Sequence, residues 1–231
     1  MTPDTINELY DFSGKTLVLT GGTGVLGGEM ARALSASNAN LVLLVRNEAR
    51  AQSLLESLPK SKGRHLVLGA DVLHRAAVEE AGQVALAQYG RIDGLINGAG
   101  GNDPKATTSP QHGFFDIPAE AFQHVINLNL VGTVVPTQVF GRFMADRKQG
   151  VIVNISSVSA ERPLTRVGAY AAAKAGISNL TQWLAVHMAE EYSPDIRVNA
   201  IMPGFFQTEQ NRFLLTDKET GALTERGNKI I

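Results

Sequence analysis

Tyr170 and Lys174 stand four residues apart in the stretch Tyr170-Ala-Ala-Ala-Lys174. On a helix that spacing puts a phenol and an ammonium on one face. A free phenol ionises near pH 10, too high for a base at neutral pH, and a cation held beside it favours the phenolate. The pair can therefore make a general acid/base. Taken alone, it is equally an ordinary surface pair of a helix. Ser157 directly follows the apolar run Val151–Ser156 and comes 13 residues before Tyr170. Its hydroxyl adds a second polar group that would reach the same place.

The second piece of chemistry is the turn Thr20-Gly21-Gly22-Thr23-Gly24-Val25-Leu26-Gly27, which holds Gly22-x-Gly24-x-x-Gly27. Glycines at these spacings allow a tight turn, close approach of backbone to a pyrophosphate, and close helix–strand packing. A helix starting there aims its free N–H groups at the phosphates. About 20 residues further on, a carboxylate would hold the ribose 2′-OH of NAD. The chain has Val45-Arg46-Asn47 instead. Arg46 can grip a 2′-phosphate through two N–H donors, or it is a solvated strand end. Asp71 is a candidate for the adenine amino group, or the N-cap of the next helix.

These residues need a frame. Six short apolar runs recur at Lys15–Thr20, Asn40–Val45, His65–Leu68, Ile92–Asn97, Val151–Ser156 and Ile196–Ile201. Most are apolar at consecutive positions, as in strands of a parallel sheet buried on both faces. Helical patterns lie between them near 24–35, 48–58, 75–89, 119–147 and 169–191. The alternation predicts an α/β fold, one doubly wound parallel sheet with helices on both faces, in the dinucleotide-binding order 3-2-1-4-5-6. Gly132 and Pro136 predict a kink or break in the fourth helix. Ser157, Tyr170, the Asn97-Gly-Ala-Gly100 turn and Pro203-Gly204 then all fall at the carboxyl edge of the sheet, where such folds bind ligands.

Composition limits the alternatives. The 231 residues read as a single domain, 1–231, with 44% apolar and 19% charged residues, enough for a core. A net charge of −1 gives no bulk attraction to nucleic acid or an anionic membrane. There is no Cys, which excludes disulfides and thiolate chemistry. Five scattered His show no metal-ligand pattern, so no metal is expected. No signal segment or membrane span is visible, and the expected location is the cytoplasm.

Together the turn, Asn97-Gly-Ala-Gly100, Asn129-Leu130, the Ser157–Tyr170 interval, Tyr-x-x-x-Lys, and Pro203-Gly204 with Thr208 resemble the short-chain dehydrogenase/reductase family across nearly the whole chain. The resemblance implies NAD(P)-dependent hydride transfer between a secondary alcohol and a ketone. It implies Tyr170 as acid/base and Ser157 as hydrogen-bond donor to the substrate oxygen. Lys174 would hold the nicotinamide ribose and lower the Tyr170 pKa, and Asn129 would hold a water of a proton relay. The cofactor, NADP or NAD with Arg46 favouring NADP, is expected along Gly21, Thr23, Gly24, Val25, Leu26, Arg46, Asp71, Val72, Asn97, Gly98, Ala99, Tyr170, Lys174, Pro203, Gly204 and Thr208. Two departures stand out. The classical subgroup asks for Gly where this chain has Val25, and the family closes with a further helix and strand that residues up to Ile231 do not supply.

Within the family, Gly98–Thr108, Arg162–Thr165, Ser178–Ala189 and Pro203–Asp217 resemble the bacterial D-mannonate oxidoreductases, or fructuronate reductases. That implies a sugar-acid substrate whose carboxylate could meet Lys105, Arg162, Arg166, Arg212 or His112. The segment Gly204–Asp217 would then be a lid. A broader carbonyl reductase or polyol dehydrogenase is a second reading. A nucleotide-binding regulator without turnover is a third, against which the intact Ser157, Tyr170 and Lys174 argue. The family also implies a homo-oligomer, dimer or tetramer, and the small residues Ala171, Ala172, Ala173, Ala175 and Gly176 would allow close helix approach between copies.

Overall fold

The computed structural model describes residues 9–205, 216–217, 220–224 and 227–228. Six parallel strands, β1 (Thr16–Thr20), β2 (Asn40–Val45), β3 (His65–Gly69), β4 (Gly94–Asn97), β5 (Gly150–Ile155) and β6 (Ile196–Ile201), form one sheet in the order β3-β2-β1-β4-β5-β6. This is the order that the alternation of runs and helices predicts. β2 shows why: five consecutive residues of Leu41–Val45 are buried, a strand covered on both faces. The two end strands differ: β3 has no fully buried residue, and β6 is largely exposed. It lies at the sheet's edge, and its Arg197, Asn199 and Ala200 are exposed.

Helices α1 (Val25–Ala36) and α2 (Glu48–Ser57) cover one face, where Ala31, Ala51 and Leu54 meet Leu19, Leu41 and Leu43. On the other face, α3 (Arg75–Tyr89), α5 (Gly132–Arg147) and α6 (Gly168–Glu191) pack Val78, Phe140, Met144 and Met188 on Val18, Val42, Leu95 and Ile152. Each such buried side chain contributes about 1.5–3 kcal/mol of transfer free energy. None of these helices is long and apolar enough to cross a membrane.

β4 starts two residues later than its apolar run because Asp93 is used otherwise. Its carboxylate accepts from Thr16 N (2.9 Å) and Arg91 Nε (2.8 Å) and lies 3.5 Å from Arg147 Nη1. This clasp closes the amino end of the sheet, opposite the ligand edge. The fourth helical stretch breaks where α4 (Ala119–Ile126) passes into a π turn, Asn127–Val131, before α5 begins. The break therefore lies upstream of Gly132 and Pro136, and Pro136 sits inside α5. Gly132 N reaches back five residues to the Asn127 carbonyl, and Thr133 Oγ1 donates to the Asn129 carbonyl at 2.8 Å. A wide turn of this kind needs side chains to satisfy the carbonyls it frees.

Candidate active site

The glycine turn lies between β1 and α1, against the end of β4. Gly21 has φ +70°, and a Cβ there would come within 2.7 Å of Ala99 N. Thr20 Oγ1 accepts from Gly98 N and Ala99 N, both at 3.1 Å. A Cβ on Gly27 would overlap the Gly21 carbonyl, so Gly27 lets α1 press onto the turn. Gly24 is the N-cap of α1 and makes no side-chain cap, leaving the first N–H groups of the helix open. Val25, where the classical subgroup has Gly, starts α1 and is half exposed. Above the turn lies a cleft of about 510 Å³ lined by Gly21, Thr23, Gly24, Val25, Arg46, Arg50, Val72, Gly98, Ala99 and Gly100. Its floor is backbone with no side chain in the way, a cradle that fits a pyrophosphate.

Several expected cofactor residues stand elsewhere. Leu26 does not line the cleft. Asn97 is 2% exposed, and its Nδ2 donates to Thr137 Oγ1 (2.9 Å) and Asn154 Oδ1 (2.8 Å). It anchors the Gly98–Ala99 turn from inside the core rather than touching a ligand. Asp71 is neither the N-cap nor a wall of the cleft. His74 is the N-cap of α3, and Asp71 Oδ1 accepts from Leu73 N at 2.9 Å, while its neighbours Ala70 and Val72 form the wall. Pro203 holds the site loop from behind, its carbonyl accepting from Val158 N (3.1 Å), and Gly204 follows it, exposed. Thr208 and Arg212 lie outside the described residues, as does most of Gly204–Asp217.

Arg46 lines the cleft as expected, and Arg50 joins it. Neither guanidinium has a hydrogen bond or ion pair among the described residues, and no carboxylate lines this cleft. Asn47 caps α2 by accepting from Arg50 N at 3.1 Å, which fixes the first turn that carries Arg50. The sequence signal for Arg50 is its place four residues after Arg46, in the first turn of α2.

Ser157, Tyr170 and Lys174 come together beside Gly100, which lines the cleft. Ser157 is the N-cap of the short 3₁₀ turn Val158–Ala160, and its Oγ accepts from Ser159 N at 3.2 Å. Its hydroxyl faces the Tyr170 phenol closely enough to favour the phenolate. Lys174 is 4% exposed, and its Nζ donates to the Ile155 carbonyl at 2.6 Å and lies 5.4 Å from the Tyr170 ring centre. Burial pushes the Tyr170 phenol above 10, and the Ser157 hydrogen bond pulls it back in part. This corrects the expectation that Lys174 lowers it. Burial is the larger influence on the phenol, and Lys174 Nζ is turned to the Ile155 carbonyl. Burial also pulls the Lys174 ammonium from 10.5 to about 8. Lys174 has two N–H donors left, beside Gly100, where a Cβ would lie 3.5 Å from Nζ.

Asn129 is fully buried, and both its N–H donors are spent, on Gly101 O (2.7 Å) and Val125 O (2.9 Å). Its Oδ1 accepts from Gly101 N at 3.2 Å. The side chain is a clasp between the π turn and the loop after β4. A water relay through Asn129 is left only its main-chain carbonyl.

On the substrate side, Ala106 packs with Ala121, Val125 and Ala169 next to Tyr170, and Thr108 N donates to Arg166 O at 3.0 Å. This joins the loop of Lys105 to the loop of Arg162 and Arg166. All three side chains are exposed, and none is paired among the described residues. Arg166 holds a left-handed φ of 75°. His112 is turned to the Lys105 carbonyl at 3.1 Å. The small residues of α6 do not all await a second copy. Ala173 is buried, and a Cβ on Gly176 would meet Leu130 of the π turn at 3.1 Å, so both serve packing within the chain.

A family model described as short chain dehydrogenase matches residues 15–219. The chain is 42% identical over 229 residues to the uncharacterized oxidoreductase UxuB of Bacillus subtilis, covering 96% of this chain and 81% of that one. It is 35% identical over 218 residues to 3beta-hydroxysteroid dehydrogenase 1 of Eggerthella lenta, covering 94% and 80%. A solved Haemophilus influenzae structure with bound NAD, provisionally named a D-mannonate oxidoreductase, superposes with a TM-score of 0.89 at 39% identity and covers 97% of this chain and 82% of its own. A match over so much of the length, joined to this sheet order and this cleft, makes the chain a member of the short-chain dehydrogenase family and an NAD(P)-dependent oxidoreductase acting on an alcohol or ketone.

Proposed function

We propose that the protein interconverts D-mannonate and D-fructuronate, with Tyr170 as the proton donor and acceptor and Ser157 and Lys174 as its partners. The observation that carries the chemistry is the meeting of the Ser157 hydroxyl, the Tyr170 phenol and a buried Lys174 with two free donors beside Gly100 of the cleft. The sugar acid is supported by the resemblance and by three unpaired cations, Lys105, Arg162 and Arg166, on two joined loops beside Tyr170.

A bound nicotinamide dinucleotide supplies or takes up the hydride. Gly21–Val25 and the N-terminus of α1 would hold its pyrophosphate, and the two free Lys174 donors its nicotinamide ribose. Arg46 and Arg50 would receive a 2′-phosphate, which favours NADP over NAD. In reduction, Ser157 O–H donates to the carbonyl oxygen and holds it. Tyr170 O–H gives its proton to that oxygen as negative charge develops there. Burial keeps the phenol protonated, the form that reduction needs.

The test is turnover of D-fructuronate and of neutral ketoses with NADH and with NADPH, by wild type and Tyr170→Phe. Fructuronate should be preferred, and Tyr170→Phe should lose about 10²–10⁴ in kcat with cofactor affinity kept. Near wild-type kcat in Tyr170→Phe refutes the chemistry. Equal use of acidic and neutral ketones refutes the substrate, in favour of a broader carbonyl reductase, the reading that 35% identity to a steroid dehydrogenase supports.

A further inference from the structure

We propose that Asn154 and Ser156 are positioning residues, which bolt α6 to β5 at one fixed height and so set where Lys174 and Tyr170 stand. The polar stripe of α6 does not end at the reactive pair. Tyr170, Lys174, Ser178 and Thr181 follow at spacings of four, four and three, one face of the helix. On the facing strand, Asn154 and Ser156 are two residues apart and point the same way. The two series meet in rungs. Asn154 Nδ2 donates to Thr181 Oγ1 at 2.9 Å, and Thr181 Oγ1 donates in turn to the Ile177 carbonyl at 2.7 Å. Ser156 Oγ donates to the Lys174 carbonyl at 3.0 Å and lies 2.7 Å from Ser178 Oγ. Because the one Ser156 proton goes to Lys174 O, Ser178 is the donor in that pair. Between the rungs lies Ile155, whose carbonyl takes Lys174 Nζ.

These contacts are directional, unlike the apolar packing around them. Asn154, Ser156 and Thr181 are 0%, 1% and 5% exposed, so no water replaces a lost rung cheaply. A slide of α6 along β5 by one residue, about 1.5 Å of helix rise, would break every rung at once. Ser157 directly follows Ser156, so the same rungs fix the reach from its hydroxyl to the Tyr170 phenol. Lys174 stays deep because its own carbonyl, its own Nζ and the two following turns are all held by three consecutive residues, Asn154 to Ser156. Among the described residues no carboxylate pairs with Lys174, and the titratable group facing it is Tyr170, whose ring centre lies 5.4 Å from Nζ.

The inference rests on Tyr170 and Lys174 being the reacting pair, and its main test needs no substrate, so the two can fail separately. Wild type, Asn154→Leu, Ser156→Ala and Thr181→Val are trace-acetylated across a pH series without cofactor. The extent at Lys174 is then read by peptide mass spectrometry. Wild type should show a midpoint near 8. Each variant should show it at least one pH unit higher, because a released helix lets water reach the ammonium. On the substrate that wild type turns over, kcat should fall at least tenfold. Thr181→Val keeps the side-chain shape and serves if the other variants do not fold. An unchanged Lys174 midpoint overturns the inference even where the melting temperature falls, since that is what rungs of purely structural value would give.

Discussion

Replacing Lys174 by Met should make the protein more stable at neutral pH and inactive. The ammonium is 4% exposed, and burial lowers its pKa from 10.5 to about 8. At about 1.4 kcal/mol per pH unit, that drop is about 3 kcal/mol of cost carried by the folded state at pH 7. Met fills much of the same space without charge but leaves the Ile155 carbonyl without its donor, a loss of about 1 kcal/mol. The expected net gain is about 2 kcal/mol. The sign with pH is fixed. Between 8 and 10.5 the unfolded chain holds the Lys174 proton and the folded chain releases it, so wild-type stability rises through that window relative to the variant. The gain should therefore be full below pH 8, shrink through the window, and turn into a loss of up to about 1 kcal/mol by pH 10.5, where the missing donor to Ile155 is what remains. Urea unfolding of both proteins at pH 7.0, 8.5 and 9.5, without cofactor, measures it. A variant that is less stable at pH 7, or a difference that does not change with pH, refutes the reasoning. Loss of activity with gain of stability is the pattern of a group kept for chemistry at a structural cost.

Two further tests follow. Arg46→Ala and Arg50→Ala should each weaken NADPH binding about 10- to 100-fold, the scale of a charged hydrogen bond, and leave NADH within about twofold; titration by nucleotide fluorescence decides it, and equal losses on both cofactors would return the two arginines to solvent. Gly27→Ala should lower dinucleotide affinity at least about tenfold, because its Cβ overlaps the Gly21 carbonyl, whereas at Gly24 the nearest atom to a Cβ is the same carbonyl at 3.3 Å and Gly24→Ala should bind far better than Gly27→Ala. The reverse ranking would show that the turn follows a different path.

The strands were legible because each is a short apolar run bounded by turn residues, and β2 is as buried as its sequence suggests. Their order followed from the alternation with helices. The meeting of Ser157, Tyr170 and Lys174 was legible because the carboxyl edge collects strand ends. What sequence spacing does not carry is the direction of a side chain. Asn97 sits in a ligand-edge motif yet turns inward to Thr137 and Asn154, and Asp71 folds onto its own turn. The π turn was half legible: Gly132 and Pro136 marked a break, but the frame shift lies at Asn127–Val131, where Asn129 is clasped to Gly101. The Lys174 environment was not legible, because i,i+4 spacing says nothing of burial. Ser156 and Asn154 look like strand filler until α6 is laid against them.

The side-by-side Asn97 and Asn154 on β4 and β5 also bear on how the chain finds its fold. Neighbouring strands made only of Leu, Ile and Val can slide by two residues, keep the same face inward, and still bury their side chains. Here such a slide would set Asn97 beside Ile152 instead of Asn154. Each amide stranded in that way would cost about 1–3 kcal/mol. In a sheet whose interior is mostly apolar, this pair of amides acts as an alignment mark: β4 and β5 close cooperatively in a single register, and the misaligned pairings that would trap a slow-forming parallel sheet are raised out of reach.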